Sequence, residues 1–138
     1  MIYHCIRFTA KPGVSEGDRQ AALESMREAA RAIPAIKSHV VGPDFGGDYE
    51  YGSISVMEEL EGYAEMMNHP AHLEMDRKGL PLADRFASFD ITDDPDPEIG
   101  AKIAEIHRRR YATVPDIAAL VAGLPEYTGS ATPPANPD

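Results

Sequence analysis

The stretch Asn68-His69-Pro70-Ala71-His72 decides how this chain is read, because it sets a proline between two histidines at the start of a helix. Pro70 disfavours helical geometry at His69, while its own fixed φ suits a first helical turn. One helix therefore ends near Asn68 and another begins at Pro70. His72 falls in the first turn of that second helix, where unpaired N–H groups and the positive end of the dipole disfavour a charged imidazole. A histidine so placed tends to stay neutral and able to accept a proton.

Working outward, each flank supplies alternating elements. Ahead of the junction, Ile2 to Thr9 alternates as a strand, with Ile2, His4, Ile6 and Phe8 on one face and Tyr3, Cys5, Arg7 and Thr9 on the other. Lys11-Pro12-Gly13 breaks it. Ser15 and Asp18 then resemble a capping box opening a helix to about Ile33, with Ala22, Met26, Ala29 and Ile33 as its apolar stripe. Strands are expected over Ile36 to Gly42 and Tyr49 to Met57, joined by a glycine-rich turn, with Tyr49, Tyr51, Ser53 and Ser55 sharing a face. A short helix from Glu58 to Asn68 precedes the junction. Beyond it, the helix from Pro70 runs toward Arg85, interrupted near Pro81, and Phe86 to Thr92 forms a fourth strand. The order β-α-β-β-α-β, with its second helical segment split at Pro70, is that of a ferredoxin-like α+β unit over residues 1–92.

Asp93-Asp94-Pro95-Asp96-Pro97 marks a change of composition. Residues 93–127 read as a helical extension: one helix from Glu98 to Tyr111, closed by Arg108-Arg109-Arg110 in the sense that suits the macrodipole, and a second from Pro115 to Leu124. The apolar stripes of both need a surface to cover, either the partner subunit or the mouth of a pocket. Residues 128–138 lack periodicity and are expected to be disordered.

Composition narrows the functions available. Thirteen Lys and Arg against 23 Asp and Glu give a net charge of -10, which disfavours binding to nucleic-acid phosphates or anionic membranes. No stretch approaches a membrane span and Met1 leads straight into a strand, so a cytoplasmic protein is expected. The lone cysteine, Cys5, permits neither an internal disulfide nor a multi-cysteine metal site. His69 and His72 are separated by Pro70 and lack a fixed carboxylate to complete a site, so no metal and no cofactor are expected. Helices on one side of the sheet leave its other face, with Cys5, Ile54 and Val56, for a second copy to cover.

Met1-Ile2-Tyr3-His4 with Phe8 and Lys11-Pro12-Gly13, Ile33-Pro34-Ala35-Ile36-Lys37-Ser38, His69-Pro70-Ala71-His72 and Phe89-Asp90 together resemble the stress-responsive dimeric α/β barrel (Dabb) family. The resemblance implies a homodimer with a pocket between sheet and helices. A plant polyketide cyclase of that family closes an aromatic ring by an aldol-type condensation, using a histidine and a tyrosine. Carried over, the catalytic histidine is His72 and the first-strand pocket histidine is His4, while the tyrosine position holds Met66. A phenol must then come from Tyr49, Tyr51 or Tyr63 if one is used. The expected pocket is bounded by His4, Ile6, Phe8, Tyr49, Tyr51, Ser53, Met66, His72 and Phe86. Two readings stay open. One is a cofactor-independent enzyme in which His72 moves a proton next to a carbonyl, by isomerisation, proton transfer or aldol-type cyclisation. The other is a non-catalytic, stress-associated barrel that binds a small ligand or simply assembles.

Overall fold

The computed structural model describes residues 1–130. Its elements are β1 (Ile2–Ala10), α1 (Glu16–Ala32), β2 (Ser38–Pro43), β3 (Tyr51–Met57), α2 (Leu60–Asn68), α3 (Pro70–Gly79), a single 3-10 turn (Leu80–Leu82), β4 (Ala83–Thr92), α4 (Ile99–Thr113), α5 (Pro115–Ala122) and β5 (Glu126–Gly129). The sheet order is β2-β3-β1-β4-β5. β1 lies antiparallel between β3 and β4, which sets His4 opposite Ser55 on one side and Asp90 on the other.

Local chemistry explains most boundaries. Ser15 caps α1 by accepting from the Asp18 amide at 3.1 Å, and Glu16 and Asp18 complement the dipole of that first turn. His69 closes α2 and caps α3: its backbone is extended, and its Nδ1 accepts from the Ala71 amide at 3.1 Å. Because Pro81 has no N–H to donate, α3 stops at Gly79 and the chain tightens into the 3-10 turn. β4 therefore starts at Ala83, three residues before the expected Phe86, and pairs Ala83 with Ala10 across a bulge at Asp84 of β4.

Two further expectations are corrected. The stretch from Thr128 does not begin as an irregular tail, since Glu126–Gly129 adds a fifth strand parallel to β4. Arg85 pairs with Glu126, and the rings of Phe86 and Tyr127 stack at 5.9 Å, contacts that need no periodicity in the sequence. The expectation of disorder for residues 131–138 lies outside the described residues. The extension helices also need no partner subunit to cover their stripes, because α4 packs on α2, and α5 on α3 and the 3-10 turn.

Two apolar clusters follow from that packing. One joins Ile2, Met57, Tyr63, Met66 and Met67 to Ile103 of α4. The other joins Leu80 to Tyr111, Ile117 and Val121. Among the described residues no helix covers the opposite face of the sheet. On it Tyr3, Ile54 and Phe89 are 40%, 39% and 37% exposed, and Val40 and Ile91 about three-fifths exposed. Cys5 lies on this face but is buried between Ile54 and Phe89, with its Sγ 3.7 Å from the Tyr3 carbonyl oxygen. Burial, and then Asp90, pushes its thiol above the ordinary range, so it is not a thiolate. Among the described residues, no helix is long and apolar enough to cross a membrane.

Candidate active site

Two adjoining hollows lie between the sheet, α1 and α3. The larger, of about 350 Å³, runs from Ile6, Phe8 and Phe86 on the sheet to Met26 of α1 and Met75 of α3. The smaller, of about 30 Å³, is lined by His4, His72, Ser53, Ser55 and Met66. Ile6, Met26 and Met75 belong to both and form the partition. The larger is within the range of small-molecule sites, and the smaller has room for one water.

The β pleat aims His4 and Ser53 at the helical side, and the Pro70 start turns His72 inward from α3. Tyr51 does not line either hollow; its ring packs 5.4 Å from Phe8. Tyr49 is further removed, lying 4.8 and 4.9 Å from the guanidiniums of Arg7 and Arg85. Because each ring is already committed to a neighbour, neither tyrosine meets the hollow.

His72 is 5% exposed. Its Nδ1 lies 2.9 Å from the carbonyl of Met66, and a carbonyl only accepts, so the ring proton sits on Nδ1 and Nε2 carries a lone pair. Burial pushes its pKa down to about 4; Asp76 opposes this, while Arg110 and His4 assist it. Nε2 is 3.4 Å from Asp76 Oδ2, one helical turn along.

His4 is organised differently. Its Nδ1 donates to Asp90 Oδ1 at 2.7 Å, so the carboxylate fixes the orientation of the ring and turns its Nε2 away from Asp90. Tyr63 donates to Asp90 Oδ2 at 3.0 Å, and Ser130 to the same oxygen at 2.8 Å. Burial raises the Asp90 carboxyl, but its hydrogen bond with and the charge of His4, helped by Ser130 and Tyr63, outweigh that and hold it below the ordinary carboxylate range. Tyr63, whose oxygen is 3.4 Å from His4 Nδ1, is the phenol nearest that ring, and it meets the ring from behind rather than from the hollow. A base and a phenol acid facing a common substrate are thus not assembled.

Two residues of α4 complete these networks and escape the sequence reading. His107 Nε2 lies 2.7 Å from the Tyr63 hydroxyl, and Arg110 donates to the Met67 carbonyl at 2.8 Å and to Asp76. Their signal is positional: Ile103, His107 and Arg110 fall at i, i+4 and i+7, so two polar residues continue an apolar stripe. Among the described residues no group of three His, Cys, Asp or Glu side chains is placed to hold a metal ion.

A ferredoxin-like α+β domain, open on one sheet face and holding three buried imidazoles on the other, is the class this geometry defines. The chain belongs to the stress responsive A/B barrel domain (Dabb) family, whose sequence model matches residues 2–93. No curated protein matches it in sequence. Among solved structures it is similar to a Dabb family protein with a ferredoxin-like fold from Mesorhizobium loti, at 20% identity and a TM-score of 0.62 over 67% of this chain and 96% of that one. A dimeric ferredoxin-like protein from Thermobifida fusca is 19% identical, with a TM-score of 0.61 over 66% and 89%. The hydroxynitrile lyase of Passiflora edulis is 14% identical, with a TM-score of 0.61 over 67% and 94%. The extension from Asp94 onward lies outside the matched family segment.

Proposed function

We propose that the protein is a homodimeric, cofactor-independent enzyme of small-molecule chemistry in which His72 acts as general base on a carbonyl compound, in a proton transfer, an isomerisation or an aldol-type bond change. One observation carries this reading: a buried imidazole with its proton fixed on Nδ1 by the Met66 carbonyl, and so with Nε2 as its basic atom, stands beside a hollow of small-molecule size. The apolar hollow suits an aryl or alkyl body, and the serines beside His72 supply hydroxyls for a carbonyl oxygen. A substrate reaches His72 when Met26 and Met75, unbranched and adaptable, move aside. The hydroxynitrile lyase with this fold and the dimeric relative support the enzyme and homodimer parts of the reading.

The 30 Å³ at His72 favours a second reading, a barrel that binds a ligand in the larger hollow without chemistry. Deuterium exchange at the α-carbon of an aryl-alkyl ketone such as phenylacetone separates the two. Wild type is expected to speed exchange above buffer and His72→Gln to abolish the gain. Saturable binding with exchange at the buffer rate would establish the second reading instead.

A further inference from the structure

The three arginines ending α4 divide sharply by environment. Arg108 and Arg109 are exposed and share Glu105, at 2.7 and 3.0 Å. Arg110 is 3% exposed and reaches beneath α2 and α3, donating to the Met67 carbonyl and to Asp76 Oδ2. That same Oδ2 is the atom 3.4 Å from His72 Nε2. One carboxylate oxygen therefore stands between a guanidinium and an imidazole. A guanidinium keeps its charge when buried and requires an opposite charge in contact, and Asp76 is the carboxylate that meets it.

Building on the reading of His72 as the base, we propose that Arg110 is a positioning residue for it: by holding Asp76, the guanidinium denies His72 a counter-charge and leaves the Nε2 lone pair available. The groups facing His72 are Asp76 on its own helix, Arg110 from α4, His4 from β1 and the Met66 carbonyl of α2, with His107 of α4 coupled more weakly. Asp76 supplies the negative charge in this set. With Arg110 neutralised, that charge turns to His72 and favours the imidazolium, which cannot act as a base. The control over the base thus comes from outside residues 2–93.

The test is a nitrogen-15 titration of the histidine rings in the full chain from pH 5 to 8, with the His72 resonances assigned by their loss in His72→Gln. In wild type and Arg110→Lys, His72 is expected to remain the neutral Nδ1–H tautomer. In Arg110→Gln its protonated-to-neutral ratio is expected to rise at least tenfold at a given pH, and in Asp76→Asn/Arg110→Gln to return to the wild-type value. A stabilising osmolyte keeps Arg110→Gln folded where needed. An unchanged titration in Arg110→Gln, or a doubly protonated His72 in wild type at pH 7, overturns the proposal. Failure of the base reading is seen separately, as no ketone exchange by wild type while these titrations keep their predicted order.

Discussion

The hydroxyl of Tyr63 stands 2.7 Å from Nε2 of His107, joining α2 of the family unit to α4 of the extension inside the core. Tyr63 has one proton to give and Asp90 only accepts, so the phenol donates to Asp90 and accepts from His107 Nε2–H. Burial, then Asp90, raises the Tyr63 pKa and keeps that proton in place. The arrangement leaves His107 Nδ1 buried without a hydrogen-bond partner among the described residues, a cost the junction bears.

Tyr63→Phe therefore strands the ring nitrogen of His107 as well as removing one donor from Asp90. An unsatisfied buried polar group costs about 1–3 kcal/mol, and a loss of that size is expected in urea denaturation. His107→Leu in the Tyr63→Phe background removes the stranded group too. The double variant is expected to be more stable than the sum of the single losses predicts, and strict additivity would count against the shared bond.

Stability should fall steeply as pH drops from about 6.5 to about 4. Burial holds both His72 and His107 neutral in the fold, with pKa values pushed down to about 4. An unfolded histidine takes up its proton near 6.5, so across this window the unfolded chain binds more protons and is favoured as pH falls. Near pH 5 the two together contribute a slope of roughly 2 kcal/mol per pH unit. Asp90, whose folded pKa is lowered, adds a further loss at more acidic pH, from its unfolded value near 4 downward. Urea midpoints at half-unit intervals measure the slope, and a flat profile between pH 6.5 and 5 would contradict the buried neutral imidazoles.

Much of this was legible in the chain because the decisive signals are local. Pro70 between two histidines places the helix break, Ser15 with Asp18 places the start of α1, and alternation in Ile2 to Thr9 puts His4 on the covered face. The partners of those histidines are distant in sequence and carry no local mark. Asp90 reaches His4 across 86 positions, and Arg110 reaches Asp76 across 34. The arginine triplet read as helix-end chemistry, which describes two of its members and conceals the buried third. β5 was hidden for a related reason, since its four residues pair parallel at the sheet edge and are fixed by Arg85 and Phe86 rather than by a pattern of their own.

The uncovered sheet face predicts its own occupant. Tyr3, Val40, Ile54, Phe89 and Ile91 form a partly exposed apolar surface on paired strands, and a second copy of the face is complementary to it in chemistry. Ile91→Arg adds a charge at an exposed position, so the fold is retained while association becomes unfavourable. Sedimentation equilibrium is expected to give a dimer for wild type and half that mass for Ile91→Arg. A monomer in both would remove the homodimer from the proposal and leave the intrachain site intact.

At the opposite edge, Gly129 is the residue that lets β5 close on β4. Its φ is +141°, and a Cβ there would sit 1.7 Å from the Ser88 carbonyl oxygen, inside any tolerable contact. The backbone after it returns to that same carbonyl, with the Ser130 amide donating at 2.9 Å, and this places the Ser130 hydroxyl on Asp90. Gly129→Ala must push β5 outward and withdraw the hydroxyl from the carboxylate that orients His4. The expected cost is about 1–3 kcal/mol, with hydrogen exchange at the Ser130 amide accelerated and α1 unchanged. A variant that exchanges like wild type at Ser130 would mean that the strand closes without the glycine, and that Asp90 keeps its third donor by some other path.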